Sequence, residues 1–295
     1  MFLSFIFMMD WKYERNKKPK ESLKGIMEHM LLEITEKCND ADMILVGIGE
    51  EFQYDWDILL QNERYREIEK EIEQKEKNAK KEYRWIVPFI QKMALENYQD
   101  KKLDQAYQNL QKLIKDRNYF ILSIAMDDYV YRYGFREDRI VTPCGGFRKM
   151  QCDHNCSGLL MDPDENMYQK VLSYFCGELK LEELSEPECE KCGQKKRFNQ
   201  LGVSKYAEEG YLPQWDIYTK WLQGTVNKKI CVIELGAGME MPTIIRWPFE
   251  KIIYYNQKSF LYRIHPSLYQ LGEKLGDRGV AIKEKSVDFL ANGFV

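Results

Sequence analysis

VTPCGGFRKMQCDHNC, residues 141–156, is the stretch on which the reading of the fold turns. Cys152 and Cys156 are spaced like one half of a metal site, and Cys189-x2-Cys192-Gly193 supplies the other half after 32 intervening residues. Each close pair can form a knuckle, and the intervening loop can bring four sulfurs into a tetrahedron around Zn²⁺. Gly193 suits a tight turn that aims backbone N–H groups at sulfur. Four thiolates leave no open coordination position, so this metal is expected to be structural rather than catalytic. His154, between two of the cysteines, is then a bystander, although histidine can itself ligate zinc. The competing reading is four structural cysteines with accidental spacing. Cys144 stands outside the set, eight residues before Cys152 and directly before Gly145-Gly146. It is either a small residue filling a strand end or a reactive thiol.

The chain has 295 residues, long enough to bury a sizeable core, and is 44% hydrophobic and 31% charged, a globular balance. Its 44 basic and 47 acidic residues give a net charge of -3, so nothing pulls it toward nucleic acid. The apolar N-terminus MFLSFIFMM lacks a basic flank and a cleavage site and is too short to span a bilayer. Met8 or Met9 would be a more conventional start. We expect a cytoplasmic protein without a membrane partner. Eight cysteines in such a chain argue for a metal over a disulfide framework.

Residues 21–38 place Leu23, Ile26, Met27, Met30, Leu31 and Ile34 on one face of a helix. DMILVGIG (42–49) follows as a buried parallel strand turning through glycines. In residues 61–81 the pairs Glu71/Lys75, Glu73/Lys77 and Glu76/Lys80 predict an exposed helix. Helical periodicity resumes in WIVPFIQKMALENY and LDQAYQNLQKLIKD. NYFILSIAMDD (118–128) reads as a second buried strand, RIVTPCGG (139–146) as a short third, and KKICVIELGAGM (228–239) as the clearest strand and Gly loop. KIIYYN (251–256) and SFLYRIH (259–265) add apolar runs. The expected fold class is α/β: a Rossmann-like parallel sheet flanked by helices, with an inserted four-cysteine zinc module and a helical insertion. We read residues 1–20 as an N-terminal extension and 21–295 as a single domain. Within it lie a Rossmann-like core (21–56, 118–149, 200–295), the helical insertion (57–117) and the zinc-binding module (150–199).

A zinc module inserted into such a sheet after a Gly-containing strand end resembles the sirtuins, NAD-dependent protein deacylases and ADP-ribosyltransferases. The order of elements carries the resemblance over most of residues 25–265. Gly47-Ile48-Gly49-Glu50-Glu51 stands where the family has its NAD-holding GAGxS loop, and Ser123-Ile124-Ala125-Met126-Asp127 where it has a Thr/Gln-Asn-Ile/Val-Asp motif. Counting back eight from the first zinc cysteine places Cys144-Gly145 at the catalytic His-Gly. ELGAGMEMPTIIRWPFEKI (234–252) is similar to the LELGVGxNTPxIIxxPFE run of a bacterial sirtuin branch, some of it linked to protein ADP-ribosylation. The resemblance implies NAD contacts from Gly47, Gly49, Glu50, Ser123, Asp127, Gly236 and Gly238. It implies catalytic positions at Cys144 and Asp127, zinc ligands Cys152, Cys156, Cys189 and Cys192, and a protein substrate or partner.

Four departures fall on the ligand positions. Cys144 replaces the base that works on a ribose hydroxyl, and Ala125 replaces the Asn. Glu50 and Glu51 put carboxylates at the diphosphate mouth, pointing either into it or to solvent, and the second loop, Gly236-Ala237-Gly238, lacks the family's hydroxyls. Two functions follow: an NAD-dependent transferase with reduced or altered catalysis, or a non-catalytic sirtuin-like module that binds a nucleotide or a protein.

Overall fold

The computed structural model describes residues 23–78 and 82–293. The expected extension 1–20 and Lys80 of the Glu76/Lys80 pair lie outside them. In chain order the regular elements begin with α1 (Leu23–Asp40), β1 (Met43–Ile48), α2 (Asp57–Gln61), α3 (Glu63–Asn78), α4 (Val87–Asn97) and α5 (Lys101–Ile114). β2 (Tyr119–Ser123), β3 (Ile140–Val141), β4 (Gly145–Cys152), α6 (Glu165–Phe175), β5 (Lys196–Gln200) and α7 (Leu212–Gln223) follow. The chain closes with β6 (Ile230–Leu235), α8 (Arg246–Tyr255), β7 (Ser259–Ile264), β8 (Gly279–Ile282) and α9 (Ser286–Gly293).

Six strands form one parallel sheet in the order β3-β2-β1-β6-β7-β8. The order reverses between β1 and β6, the switch point outside whose carboxyl ends α/β sheets bind ligands. The central strands are apolar on both faces, as a sheet covered by helices on each side requires, apart from the buried Glu234 of β6, which pairs with Arg263 of β7. On β1, Ile44, Val46 and Ile48 join the layer of α1, α3, α4, α5 and α9, while Met43 and Leu45 join the layer of α7 and α8. No described helix is long and apolar enough to cross a membrane.

Three sequence readings change. KIIYYN is the second half of α8, because Ile245, Phe249 and Ile253 recur every four residues and are all buried. RIVTPCGG is a strand only at Ile140–Val141. A turn closed by Gly145 N–H to Thr142 O, 3.0 Å, then reverses the chain into β4 of a separate antiparallel pair with β5. The charged helix α3 is exposed on one side only, since Tyr65, Ile68 and Ile72 are buried in the core. Two of its charges leave their helical neighbours for the cysteine-bearing segment: Lys75 meets Glu182, and Glu71 accepts from Tyr174 Oη at 2.9 Å.

Candidate functional site

The four cysteines of the two pairs converge at one end of the β4–β5 ribbon, with all sulfurs within 4.8 Å of one another. Cys152 and Cys192 sulfurs stand 3.4 Å apart, and Cys156 and Cys189 sulfurs 3.7 Å. Tetrahedral ligands at a Zn–S distance of about 2.3 Å are separated by about 3.8 Å, so the donor set fits zinc. Backbone N–H groups of Lys191 and Cys192 point at the Cys189 sulfur and pull its thiol down to about 7. Gly193, at φ 70°, makes the turn that permits this, a conformation few other residues adopt. His154 is not in the cluster.

At the switch point the Gly loops after β1 and β6 touch. Gly49 N–H donates to Leu235 O at 2.8 Å and Glu51 N–H to Gly236 O at 3.1 Å. Any side chain at position 49 would run into the Ala237 backbone, so the close approach demands glycine. Gly47 serves packing instead: a Cβ there would stand 2.6 Å from Ile245 and 2.7 Å from Phe249. Ser123 ends β2 beside Ile48, buried, with its hydroxyl lacking a hydrogen-bond partner.

Both open questions about the glutamates resolve inward. Glu50 reaches across to the second loop, and its carboxylate lies where a side chain on Gly238 would be. Its Oε1 is 3.4 Å from Glu240 N, and its Oε2 is buried without a partner. Glu51 passes the Gly236 side and accepts from Ser286 N–H at 3.0 Å and from the Ser286 hydroxyl, capping α9. Burial raises its carboxyl above the usual range. Arg246 of α8 lies nearby, donating to Ala237 O (2.7 Å) and Leu268 O (2.9 Å). His265 ends β7 with Nδ1 accepting from Leu268 N–H at 2.9 Å and Ser267 N–H at 3.1 Å. Burial, then Arg246, pushes its pKa down, leaving a neutral ring.

The structure brings Gly49, Glu50, Gly236 and Gly238 together, and places Cys144 within reach of Glu50's field. A dinucleotide diphosphate at this mouth would meet the Glu50 carboxylate, so the loops as they stand do not fit that group. Cys144 is fully buried, its thiol 3.3 Å from the Met241 sulfur. Burial, then the charge of Glu50, pushes it up to about 12, so it is a protonated thiol at neutral pH. The nearby cations are engaged elsewhere, Arg148 with Glu137 at 3.1 Å and Lys149 with Asp162 at 2.7 Å. Asp127 acts as a loop clamp: Oδ2 accepts from Tyr54 N–H at 2.7 Å and Oδ1 from Tyr129 N–H at 3.0 Å. Arg246 and His265 were missed in the sequence. Their signals were a lone Arg in an apolar run after a Gly loop, and a polar residue at the carboxyl end of a switch-point strand.

Asp128, at φ 57°, borders a polar cleft of about 240 Å³ between core and cysteine module, together with Tyr131, Arg148, Asn199 and Tyr211. Its carboxylate accepts from Phe147 N–H, and burial, then Asp127, raises it to about 6. The folded state therefore holds this proton more tightly than the unfolded state. Stability from this group is full below pH 3.8 and is lost as pH rises through about 6. Asp128→Asn keeps an acceptor and tolerates the left-handed backbone. It should stabilise the protein by about 1–2 kcal/mol at pH 7.5 and by almost nothing at pH 3.5. Urea melts at the two pH values check this, and an equal difference at both would contradict it.

No family model matches the chain. A protein ADP-ribosyltransferase of Staphylococcus aureus is 21% identical over 259 residues, 83% of this chain and 81% of that protein. A probable bifunctional ADP-ribose hydrolase/ADP-ribosyltransferase of Fusarium oxysporum f. sp. cubense is 22% identical over 180 residues, 58% of this chain but 29% of that protein. Among solved structures, a Sir2 homologue in complex with NAD superposes with a TM-score of 0.49 and 14% identity, over 88% of this chain and 92% of its own. Sir2 bound to acetylated peptide gives 0.46 and 14%, over 88% and 95%.

Proposed function

We propose, from a chain that is a divergent sirtuin-like protein, that it is an NAD-linked transferase relative with reduced or altered catalysis and no ordinary deacetylase turnover. The observation that carries this is position 144. Deacylation needs a base at the ribose hydroxyl with a pKa near the working pH. A buried thiol raised to about 12 and packed on Met241 does not supply one. Ala125, 3% exposed, offers no amide to position a water, and both Asp127 oxygens are spent on backbone N–H groups. The names of the two sequence relatives favour ADP-ribosyl transfer over deacylation as the surviving chemistry. Zinc at Cys152, Cys156, Cys189 and Cys192 has a structural part in this reading.

Acetyl-lysine peptide with NAD should yield no deacetylated product above background, and Cys144→Ala should change nothing. Turnover at sirtuin-like rates that Cys144→Ala abolishes would overturn the reading. The second reading, a non-catalytic module binding a nucleotide or a protein, is favoured by the carboxylates between the loops. Labelled NAD incubated with the chain and candidate protein acceptors separates the two, since only the transferase leaves label on protein.

A further inference from the structure

We propose that Glu50 is an internal anion standing where a ligand phosphate would lie, and that it sets the charge of what the switch-point crevice admits. The inference rests on the NAD-linked reading above and deepens it: NAD carries the diphosphate that Glu50 opposes, so binding it would require Glu50 to move aside. Glu50 leaves the first Gly loop and lays its carboxylate over Gly238, in space that the absence of a side chain there keeps free. Among the described residues Glu240 N–H approaches Oε1, at 3.4 Å, and Oε2 is buried with no hydrogen-bond partner. A carboxylate oxygen withdrawn from water without a partner is unfavourable unless a positive field holds it.

Here that field comes from the crevice itself. Arg246 is buried with its guanidinium fixed on Ala237 O and Leu268 O, and His265 closes the neighbouring strand end. Of these two, Arg246 carries the charge: burial and Arg246 itself leave the His265 ring neutral, so the field that acts on Glu50 is that of the guanidinium. A dianionic ligand entering between the loops would seek the same guanidinium and the same space. It must therefore displace Glu50 or bind beside a like charge. Glu51 cannot substitute, because it is held on Ser286 at the start of α9. The crevice as built thus disfavours diphosphates while leaving uncharged nucleoside-like groups unpenalised.

The test is calorimetric titration of the full chain with ADP-ribose and, separately, with uncharged adenosine. Wild type is compared with Glu50→Gln, which removes the charge, and Glu50→Ser, which also opens the space. Melting profiles confirm folding of each variant. ADP-ribose should bind Glu50→Ser at least about tenfold more tightly than wild type, with Glu50→Gln tighter than wild type as well. Adenosine affinity should stay within about threefold throughout. ADP-ribose binding wild type as tightly as both variants would overturn the gate and leave the NAD-linked reading standing. Binding of neither ligand to any of the three proteins would overturn both.

Discussion

Cys189→Ser is expected to release the metal and unfold the ribbon that carries it. The wild-type protein should contain about one zinc per chain by elemental analysis, and a strong chelator should reproduce the variant. The expectation follows from what else holds β4 and β5 together. A two-stranded antiparallel pair is marginal in water unless something staples it. Here the staple would be four sulfurs within 4.8 Å, which without a metal are thiols crowded together. Structural zinc contributes on the order of 10 kcal/mol of apparent folding free energy. The loss should spread, since Phe147 and Met150 of β4 and Phe198 of β5 belong to the main core. Hydrogen exchange should show β4 and β5 losing protection first. An unchanged melting profile after removal of Cys189 would sink the zinc assignment.

Arg263→Met should destabilise the fold by about 3–5 kcal/mol, because it strands a buried carboxylate. Glu234 and Arg263 are direct register partners on β6 and β7, 0% and 1% exposed at their side chains. Arg263 Nε lies 2.5 Å and Nη2 3.1 Å from the two Glu234 oxygens, while Nη1 donates to Glu250 at 2.8 Å and to Gln270 O at 2.7 Å. Burial raises the Glu234 carboxyl even with Arg263 opposing it. Without the guanidinium the folded-state pKa rises further above the unfolded value. The folded state then binds the extra proton, and stability falls as pH rises from about 4.5 upward. The deficit should be larger at pH 8 than at pH 5. The pair Glu234→Met with Arg263→Met should recover most of it, since two packed apolar side chains replace an ion pair at little net cost. Urea denaturation of the single and double variants checks both. A single-variant loss below about 1 kcal/mol would show that Arg246 or water already satisfies Glu234.

The amino-acid sequence by itself determined the parallel strands β1, β2, β6 and β7, since short near-continuous apolar runs such as MILVGI and ICVIEL, ending in glycines and alternating with helical segments, fit strands buried between two helical layers. It also determined the helices α1, α3, α4 and α5 and the four cysteines that converge, because thiolate spacing is local chemistry. β5, β8 and α9 are too short or too polar to announce a period. In contrast, α6 and α7 do carry one, Met167, Tyr168, Val171, Tyr174 and Phe175 in the first and Trp215, Tyr218 and Trp221 in the second, and were overlooked beside the cysteines. Only the tertiary structure decided the chemistry of the ligand positions. Whether Glu50 and Glu51 faced solvent or turned to the second Gly loop and to Ser286 of α9 depended on strands and helices meeting across roughly 190 and 235 residues. Whether Cys144 was a thiolate depended on the layer that buries it and on Met241, which no neighbour in sequence foretells. Charge and burial are properties of surroundings, and surroundings are assembled from distant parts of the chain.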